Sequence, residues 1–293
     1  MPPLPEVLTG LVAWLAAPLE FDFMRRALLA SVLVGALCAV VGAFVVLKGL
    51  AFIGDALAHA SFAGVAVALV GNANVYVGGA VAAVFAALAI AFIGQRARLR
   101  ADTAIGVVFV AMLSFGVLVM SHLRNYTASV FEFLFGNVLA VAPDDLILIL
   151  VGGGLVVAVV LVLYKEFLFV AFDPTMAAGV GLPVAFYDTL LLVLLAVTCT
   201  LSMRALGIIL VAAMLVTPAA TAYLFVKRLH QQILLGVLIA VACSLVGLYV
   251  SFYGNFASGA SIVLVSVAVF LVALLVSPRT RRGSVPLRVL SEG

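Results

Sequence analysis

The sequence predicts an all-α polytopic membrane protein, built as a bundle of about eight or nine transmembrane helices. Of its 293 residues, 67% are hydrophobic and only 9% are charged, whereas ordinary soluble domains carry roughly 25% charged residues. The mean hydropathy is +1.40, and the apolar residues form runs of about 20, the length that crosses a bilayer as a helix. These runs lack the two-residue alternation of a membrane β-barrel, so their backbone polar groups must be paired within helices.

Nine apolar runs are long enough to be spans, and we predict them at residues 27–47, 51–70, 75–94, 103–121, 145–163, 185–203, 206–226, 232–251 and 260–277. We interpret residues 25–278 as a single transmembrane domain and residues 279–293 as a cytoplasmic tail. Residues 1–24 form an N-terminal segment, either interfacial or containing one further crossing. This segment has no basic region ahead of its apolar residues, so no cleavable signal peptide is expected.

The positions of lysine and arginine orient the spans, because cytoplasmic loops carry an excess of both. We therefore predict four cytoplasmic segments: QRARLR (95–100), YKEF (164–167), VKRLHQQ (226–232) and SPRTRR (277–282). Alternation then gives four external positions: 71–74, 122–144, Arg204 and 253–259. These loops account for the net charge of +3, so no nucleic-acid partner is expected.

Two connections are predicted to contain short helices of their own. Residues 130–145, VFEFLFGNVLAVAPDD, are mostly apolar yet external, which predicts a re-entrant helix folded back against the bundle. Residues 172–183, FDPTMAAGVGLP, are cytoplasmic and carry helix start and stop signals. These signals are Asp173 at the N-cap, Pro174 at the first helical position, and Gly179 or Gly181 at the exit.

Small residues recur at helical spacing on two of the predicted spans. One row contains Ser31, Gly35, Ala39 and Ala43, and the other contains Ala60, Gly64 and Ala68. Small side chains allow helix backbones to approach closely in lipid. We interpret both rows as packing surfaces.

An aspartate and a histidine interrupt the second span, AFIGDALAHASFAG (51–64). Asp55 and His59 are four residues apart, so they share one face of a helix and lie about 6 Å apart along its axis. A charged aspartate deep in the bilayer costs on the order of 2.5–3.5 kcal/mol on insertion scales, which makes such residues functional candidates. Carboxylate oxygen and imidazole nitrogen are ligands for first-row divalent metal ions. We predict that Asp55 and His59 form half of a metal site.

Two structural explanations for this pair stay open at this stage. Asp55 could be neutralised by His59 or by an arginine, or it could lie at the cytoplasmic interface, about two turns past Lys48. Other candidate ligands are weaker, because histidines often lie at interfaces and asparagines often form turns or caps. These weaker candidates are His122, Ser251 and Asn255.

The sequence lacks the motifs of an ATP-hydrolysing or hydrolytic enzyme. Its three lysines follow leucine, tyrosine and valine, so none belongs to a P-loop, and the HExxH and GxSxG patterns are absent. The three cysteines, Cys38, Cys199 and Cys243, lie in apolar runs without metal-ligand spacing. We therefore predict that the chain is not an enzyme and holds no permanent cofactor.

Six segments, in order from about residue 25 to 277, resemble the permease subunits of bacterial ABC importers for zinc and manganese. They are FIGDALAHASFAGVA (52–66), RADTAIGVVF (100–109), FEFLFGNVLAVAPDDL (131–146), FDPTMAAGVGL (172–182), GIILVAAMLVTPAATA (207–222) and SFYGNFASGASIVL (251–264). The form GDALAHAS resembles the zinc-type members. The resemblance implies import of a divalent ion across the bacterial inner membrane by alternating access, with zinc favoured and manganese or iron as alternatives.

The resemblance also implies partners and site residues. It implies a homodimer in the lipid bilayer, an external solute-binding protein that delivers the ion, and two copies of a cytoplasmic ABC ATPase. Asp55 and His59 match the family's intramembrane acidic and histidine positions, whereas Asn255 stands where relatives commonly carry aspartate. The segment 172–182 matches the helix that docks on the ATPase, and its coupling residues are Asp173, Pro174, Met176, Ala177 and Gly179. A proton-coupled secondary carrier, with Asp55 and His59 as a proton relay, is the alternative function.

Overall fold

The computed structural model describes residues 17–97, 100–121 and 138–277. These residues form eleven α-helices and no strand, and nine of the helices are long and apolar enough to cross a membrane. The spans are α1 (Asp22–Lys48), α2 (Ile53–Val70), α3 (Val75–Ala97), α4 (Ala101–Met120), α5 (Pro143–Val162), α8 (Val184–Leu206), α9 (Ile208–Phe225), α10 (Leu229–Gly254) and α11 (Ser258–Val276). The two short helices are α6 (Tyr164–Phe172) and α7 (Pro174–Gly179). All nine predicted spans are confirmed.

The first span begins earlier than predicted. Helix α1 starts at Asp22 rather than at residue 27, so residues 22–24 of the expected N-terminal segment are part of the helix. Arg25 donates to the Asp22 carboxylate at 2.7 Å, which pairs two charges in the first turn and lets the helix extend past the apolar run. Residues 1–16 and 278–293 lie outside the described part of the chain.

The predicted short cytoplasmic helix is present as α7. Its start is as expected, since the Met176 N–H donates to the Asp173 carboxylate at 2.8 Å and Pro174 is the first helical residue. Its exit is at Gly181 rather than Gly179. Gly181 has a φ of 93°, and the N–H groups of residues 181 and 182 donate to the carbonyls of Ala178 and Ala177, the pattern of a Schellman motif.

The external segment before α5 is described only in part. Residues 130–137 of the predicted re-entrant helix lie outside the described residues, while 138–140 form a single 3-10 turn. Residues 143–145 belong to α5, which starts at Pro143. The Asp145 carboxylate accepts the N–H of Ala142 at 3.2 Å, and this local cap draws those residues into the span.

The link from α1 to α2 turns back into the bundle. Gly49 adopts a left-handed conformation with a φ of 70°, which glycine tolerates without steric cost. The Leu50 N–H then donates to the Val45 carbonyl at 2.9 Å, and the Ile53 N–H donates to the Leu50 carbonyl at 3.1 Å. The chain thus reverses beside the last turns of α1 before α2 begins.

Helix α2 therefore starts well inside the bundle. Gly54 packs against Leu215 near the middle of α9, the residue that also meets Gly42 of α1. The Cys199 thiol of α8 lies 3.9 Å from the Gly54 carbonyl oxygen. Cys199 is about three turns, or roughly 16 Å, past Asp188 near the cytoplasmic end of α8. The start of α2 is recessed from that end by a similar distance.

Both rows of small residues pack against neighbouring helices. A methyl group on Gly35 would meet Ser244 and Ala240 of α10. One on Gly64 would lie 2.1 Å from the Gly78 carbonyl oxygen of α3. Small residues at these positions let α1 approach α10 and let α2 approach α3 at backbone distance.

Candidate metal site

Asp55 and His59 form the accessible part of an otherwise buried helix segment. From Ile53 to Ala66, these two are the residues of α2 that are not buried. Their side chains are 45% and 21% exposed, respectively. Because α2 begins inside the bundle, both polar groups lie at membrane depth although Asp55 is in the first turn of its helix.

The two side chains are in direct contact. The His59 Nδ1 lies 2.9 Å from the Asp55 carbonyl oxygen and 3.3 Å from the Asp55 carboxylate. Two acceptors on one side of the ring favour the tautomer that is protonated at Nδ1. Nε2 then carries the lone pair and is the nitrogen able to bind a metal ion. The carboxylate contact resembles the way outer carboxylates orient metal-binding histidines.

Phe109 of α4 fixes the other side of the imidazole. Its ring packs edge-on against His59, with the centroids 5.1 Å apart and the planes at 83°. Nearby on the same interface, Phe62 of α2 lies against Gly116 of α4. The interface between α2 and α4 therefore determines where the imidazole points.

The structure bears on both structural explanations for Asp55, which were neutralisation by a partner and a position at the cytoplasmic interface. Among the described residues, the ion-pair partner of Asp55 is His59 and not an arginine, and the recessed start of α2 argues against a position at the cytoplasmic interface. Hydrogen bonding within the pair does not exclude metal binding, since the imidazole Nε2 and a second carboxylate oxygen remain as donors. An ion would find an oxygen and a nitrogen ligand on this face.

Ser251 and Asn255 are not brought to this pair. They lie at the end of α10, where Phe252 packs against Phe21 at the start of α1, roughly 30 Å along α1 from Gly42. Asn255 caps α10 in a left-handed conformation with a φ of 51°, and the Ser251 hydroxyl donates to the Phe256 carbonyl at 2.7 Å. His122 lies outside the described residues.

Within residues 17–97, 100–121 and 138–277, no three His, Cys, Asp or Glu side chains come close enough to hold an ion together. Asp55 and His59 therefore offer two candidate ligands on a single chain. A transported ion would complete its coordination with water or with groups from another chain. Weak, partly hydrated binding suits an ion that must be released.

The coupling residues predicted on the cytoplasmic side differ in accessibility. Met176 is 62% exposed, and Phe172 and Val180 beside it are also exposed apolar side chains. Ala177, in contrast, is fully buried, so it supports α7 from within and does not form its outer surface. Asp173 and Pro174 define the helix start, as the hydrogen bond to Met176 shows.

Two ion pairs between distant helices were not predicted from the sequence. Lys48 at the end of α1 pairs with Asp188 of α8, and Arg204 of α8 pairs with Asp145 of α5 while stacking on the Tyr76 ring at 4.1 Å. Arg204, predicted to be external, lies in the last turn of α8. Single charged residues are common at the ends of spans. Because the partners in each pair are far apart in the sequence, no local pattern indicates that they meet.

The fold and this site define a polytopic α-helical transport protein with polar groups at membrane depth and a short structured cytoplasmic helix. A protein-family model described as the ABC 3 transport family matches residues 20–277. The chain therefore belongs to the ABC 3 transport family. It is a multi-pass protein of the bacterial inner membrane and the membrane subunit of a transport system.

Individual relatives agree with this assignment. The chain is 40% identical over 261 residues to the manganese transport system membrane protein MntC of Listeria innocua, covering 89% of this chain and 93% of that protein. It is 33% identical over 280 residues to the chelated iron transport system membrane protein YfeD of Yersinia pestis, covering 94% of each. It also matches the solved structure of PsaBC from Streptococcus pneumoniae in complex with Fab, with a TM-score of 0.80, 33% identity and coverage of 92% and 98%.

These relatives bear on the choice of metal made from the sequence. The two relatives are named for manganese and for chelated iron, so these names do not support the preference for zinc. The preference for zinc came from the short form GDALAHAS around Asp55 and His59. Oxygen and nitrogen donors of this kind serve several divalent ions, so that segment alone did not determine the metal.

Proposed function

We propose that this chain is the permease subunit of an ATP-driven importer of Mn²⁺, with Fe²⁺ as the second candidate substrate. The observation that carries the proposal is the Asp55–His59 pair, placed at membrane depth on the accessible face of α2. Carboxylate oxygen suits manganese and imidazole suits iron. The names of the most similar relatives reported above support manganese first.

The remaining ligands come from a second copy of the chain or from water. The pair is half-exposed on one chain, and its two donors are too few for a closed metal site. A homodimer that brings α2 of each copy toward a shared path would supply two such pairs. An external solute-binding protein delivers the ion to that path.

Energy for transport comes from a separate cytoplasmic ABC ATPase that docks on the α6–α7 segment. The exposed side chains of Phe172, Met176 and Val180 give this segment an apolar surface on the side that carries the basic loops. Apolar side chains in the core of an interface contribute most to stable docking. A secondary carrier needs no such surface, so this feature favours the ATP-driven mechanism.

Uptake of radioactive Mn²⁺ by cells that lack their own copy of the permease tests this function. Asp55→Asn and His59→Gln keep side-chain size, and each is expected to lower uptake about ten-fold or more, as loss of a ligand or of its orienting partner does. Asp102→Asn is the matched control, because Asp102 is an exposed acid in the first turn of the neighbouring helix α4. Unlabelled Fe²⁺ and Zn²⁺ added as competitors rank the substrates.

Several results would contradict the proposal. Wild-type uptake in both the Asp55 and the His59 variants would remove the pair from the transport path. Uptake that persists with an ATPase lacking its P-loop lysine, and that collapses with a proton uncoupler, would favour the proton-coupled carrier. Stronger competition by Zn²⁺ than by Fe²⁺ or unlabelled Mn²⁺ would restore zinc as the substrate.

A further inference from the structure

The cytoplasmic ends of α1 and α8 are joined by an ion pair. The Lys48 ammonium binds the Asp188 carboxylate, and the two side chains are only 17% and 37% exposed. The pair links residues 140 positions apart and connects two different spans. An exposed pair within one helix, such as Asp22 and Arg25, links no separate elements.

Asp188 is connected to the short cytoplasmic helix α7 through a short, hydrogen-bonded turn. Only residues 180–183 separate α7 from α8, and the N–H groups of Gly181 and Leu182 donate back to α7 carbonyls at 3.0 Å each. Pro183 precedes the first residue of α8, and Asp188 lies in the second turn of that helix. A displacement of α7 is therefore carried directly to the Asp188 carboxylate.

Lys48 is connected to the start of α2 by an equally short, hydrogen-bonded link. It is the last residue of α1, and the backbone hydrogen bonds of Leu50 and Ile53 hold the returning link at both ends. Asp55 follows in the first turn of α2. A displacement of Lys48 is therefore carried through a short, hydrogen-bonded segment to the candidate metal ligand.

A cavity of about 280 Å³ lies at the same place. Its lining includes Lys48, Asp188 and Ile53, together with Gln95 of α3. Side chains therefore do not fill the space beneath the recessed start of α2 on that side. Beyond this cavity the start of α2 is packed, since Ile53 is fully buried and Gly54 meets Leu215, so the ion pair and the link border α2 on its cytoplasmic side.

We propose that Lys48 and Asp188 are a positioning pair that transmits movement of the ATPase-docking helix α7 to the first turn of α2, where Asp55 and His59 lie. The path runs from α7 through the 180–183 turn to Asp188, then to Lys48, and through the 49–52 link to α2. This inference rests on the proposed ATP-driven function. It adds the contact that connects ATP hydrolysis to the metal-binding helix.

The alternative is that the pair only stabilises the bundle. A stabilising pair lowers the amount of folded permease when it is removed, but each remaining molecule keeps its ratio of ions moved to ATP hydrolysed. A transmitting pair changes that ratio. The ratio of uptake to hydrolysis is therefore the measurement that separates the two roles.

The experiment uses the permease assembled with its ATPase in proteoliposomes, with Mn²⁺ and the binding protein supplied. Lys48→Met and Asp188→Asn remove one charge each with little change in size, and Arg25→Ala is the control for loss of an ion pair on α1. We expect each Lys48 or Asp188 variant to lower Mn²⁺ moved per ATP by about five-fold or more, the low end of typical coupling between sites. The charge-swapped double variant, Lys48→Asp with Asp188→Lys, is expected to recover most of the wild-type Mn²⁺ moved per ATP. Arg25→Ala should keep the wild-type value.

A second measurement does not depend on an active complex. In the purified permease, Asp188→Asn is expected to speed hydrogen exchange at the amides of residues 49–54, while exchange along α9 stays unchanged. Unchanged exchange at 49–54 would overturn the proposal. So would a wild-type transport ratio in both single variants, or a charge-swapped double variant as poor as the single ones.

Failure of the proposed function has a different signature. In that case the wild-type complex shows no ATP-dependent Mn²⁺ uptake, and no ratio can be formed for any variant. Suppose instead that the wild type transports Mn²⁺ and that the Lys48 and Asp188 variants keep its ratio of Mn²⁺ moved to ATP hydrolysed, as Arg25→Ala does. That result refutes the transmission role and leaves the proposed function intact.

Discussion

Replacing Gly64 by alanine is expected to force α2 away from α3 and to disturb the candidate metal site without touching it. The added methyl carbon would lie 2.1 Å from the Gly78 carbonyl oxygen and 2.5 Å from the Ala82 Cβ. Carbon atoms in contact normally lie about 3.5–4.0 Å apart, so the helices must separate by roughly 1 Å. Overpacking of this kind typically costs about 1–3 kcal/mol.

The matched control for this substitution is Gly154→Ala in α5. In the part of the chain that the structure describes, nothing lies within 4 Å of the Cβ position at Gly154, and alanine is the better helix former by about 0.8–1.0 kcal/mol. Thermal unfolding in detergent should show a midpoint several degrees lower for Gly64→Ala, at about 2–4 °C per kcal/mol. The control should match or exceed the wild type.

Transport adds a functional test of the same substitution. Because α2 also contacts α4 through His59 and Phe109, a shift of α2 should lower Mn²⁺ uptake per folded permease in Gly64→Ala. Equal unfolding midpoints for Gly64→Ala and Gly154→Ala would refute the close-packing argument. A lower midpoint with unchanged uptake per molecule would show that the site tolerates movement of its helix.

Substitutions at three further positions test the cytoplasmic helix and the external cap. Met176→Glu places a charge on the exposed surface of α7 and should prevent co-purification of the ATPase, while the permease remains folded and inserted. Asp173→Ala removes the cap of α7 at a cost of about 1 kcal/mol and should weaken ATPase binding, whereas Asp173→Ser should retain it. Asn255→Gly should keep wild-type Mn²⁺ uptake, since glycine accepts the left-handed conformation of this cap. Loss of uptake in that variant would assign Asn255 to the ion path instead.

The spans were predictable because lipid imposes a strong, local requirement on each segment. A run of about 20 apolar residues must be helical to pair its own backbone groups, and all nine runs are helices in the described part of the chain. The start of α7 was also predictable from adjacent residues, since Asp173 is its N-cap and Pro174 is its first residue. Its end was harder to predict, because either Gly179 or Gly181 could close a helix and only the backbone shows that Gly181 has positive φ.

Charged contacts between spans were not predictable in the same way. Lys48 and Asp188 lie near the ends of two apolar runs, where single charges are ordinary, and nothing near either residue indicates its partner. Arg204 was predicted only to be external, and nothing near it in the sequence indicates its pairing with Asp145 or its stacking on Tyr76. Such pairs depend on which helices are neighbours, which hydropathy does not determine.

The depth of Asp55 shows why the position of a residue within its own helix is a poor guide to its environment. By hydropathy, Asp55 follows soon after the cytoplasmic Lys48, which suggests an aqueous interface. The reversal at Gly49 returns the chain into the bundle before α2 starts, and Gly54 consequently meets Leu215 and Cys199. The same reversal places the face that carries Asp55 and His59 one short link away from the Lys48–Asp188 ion pair at the cytoplasmic end. In the proposed function, this recessed start of α2 would give an ion a polar site at membrane depth, and the short link would connect that site to the cytoplasmic ion pair.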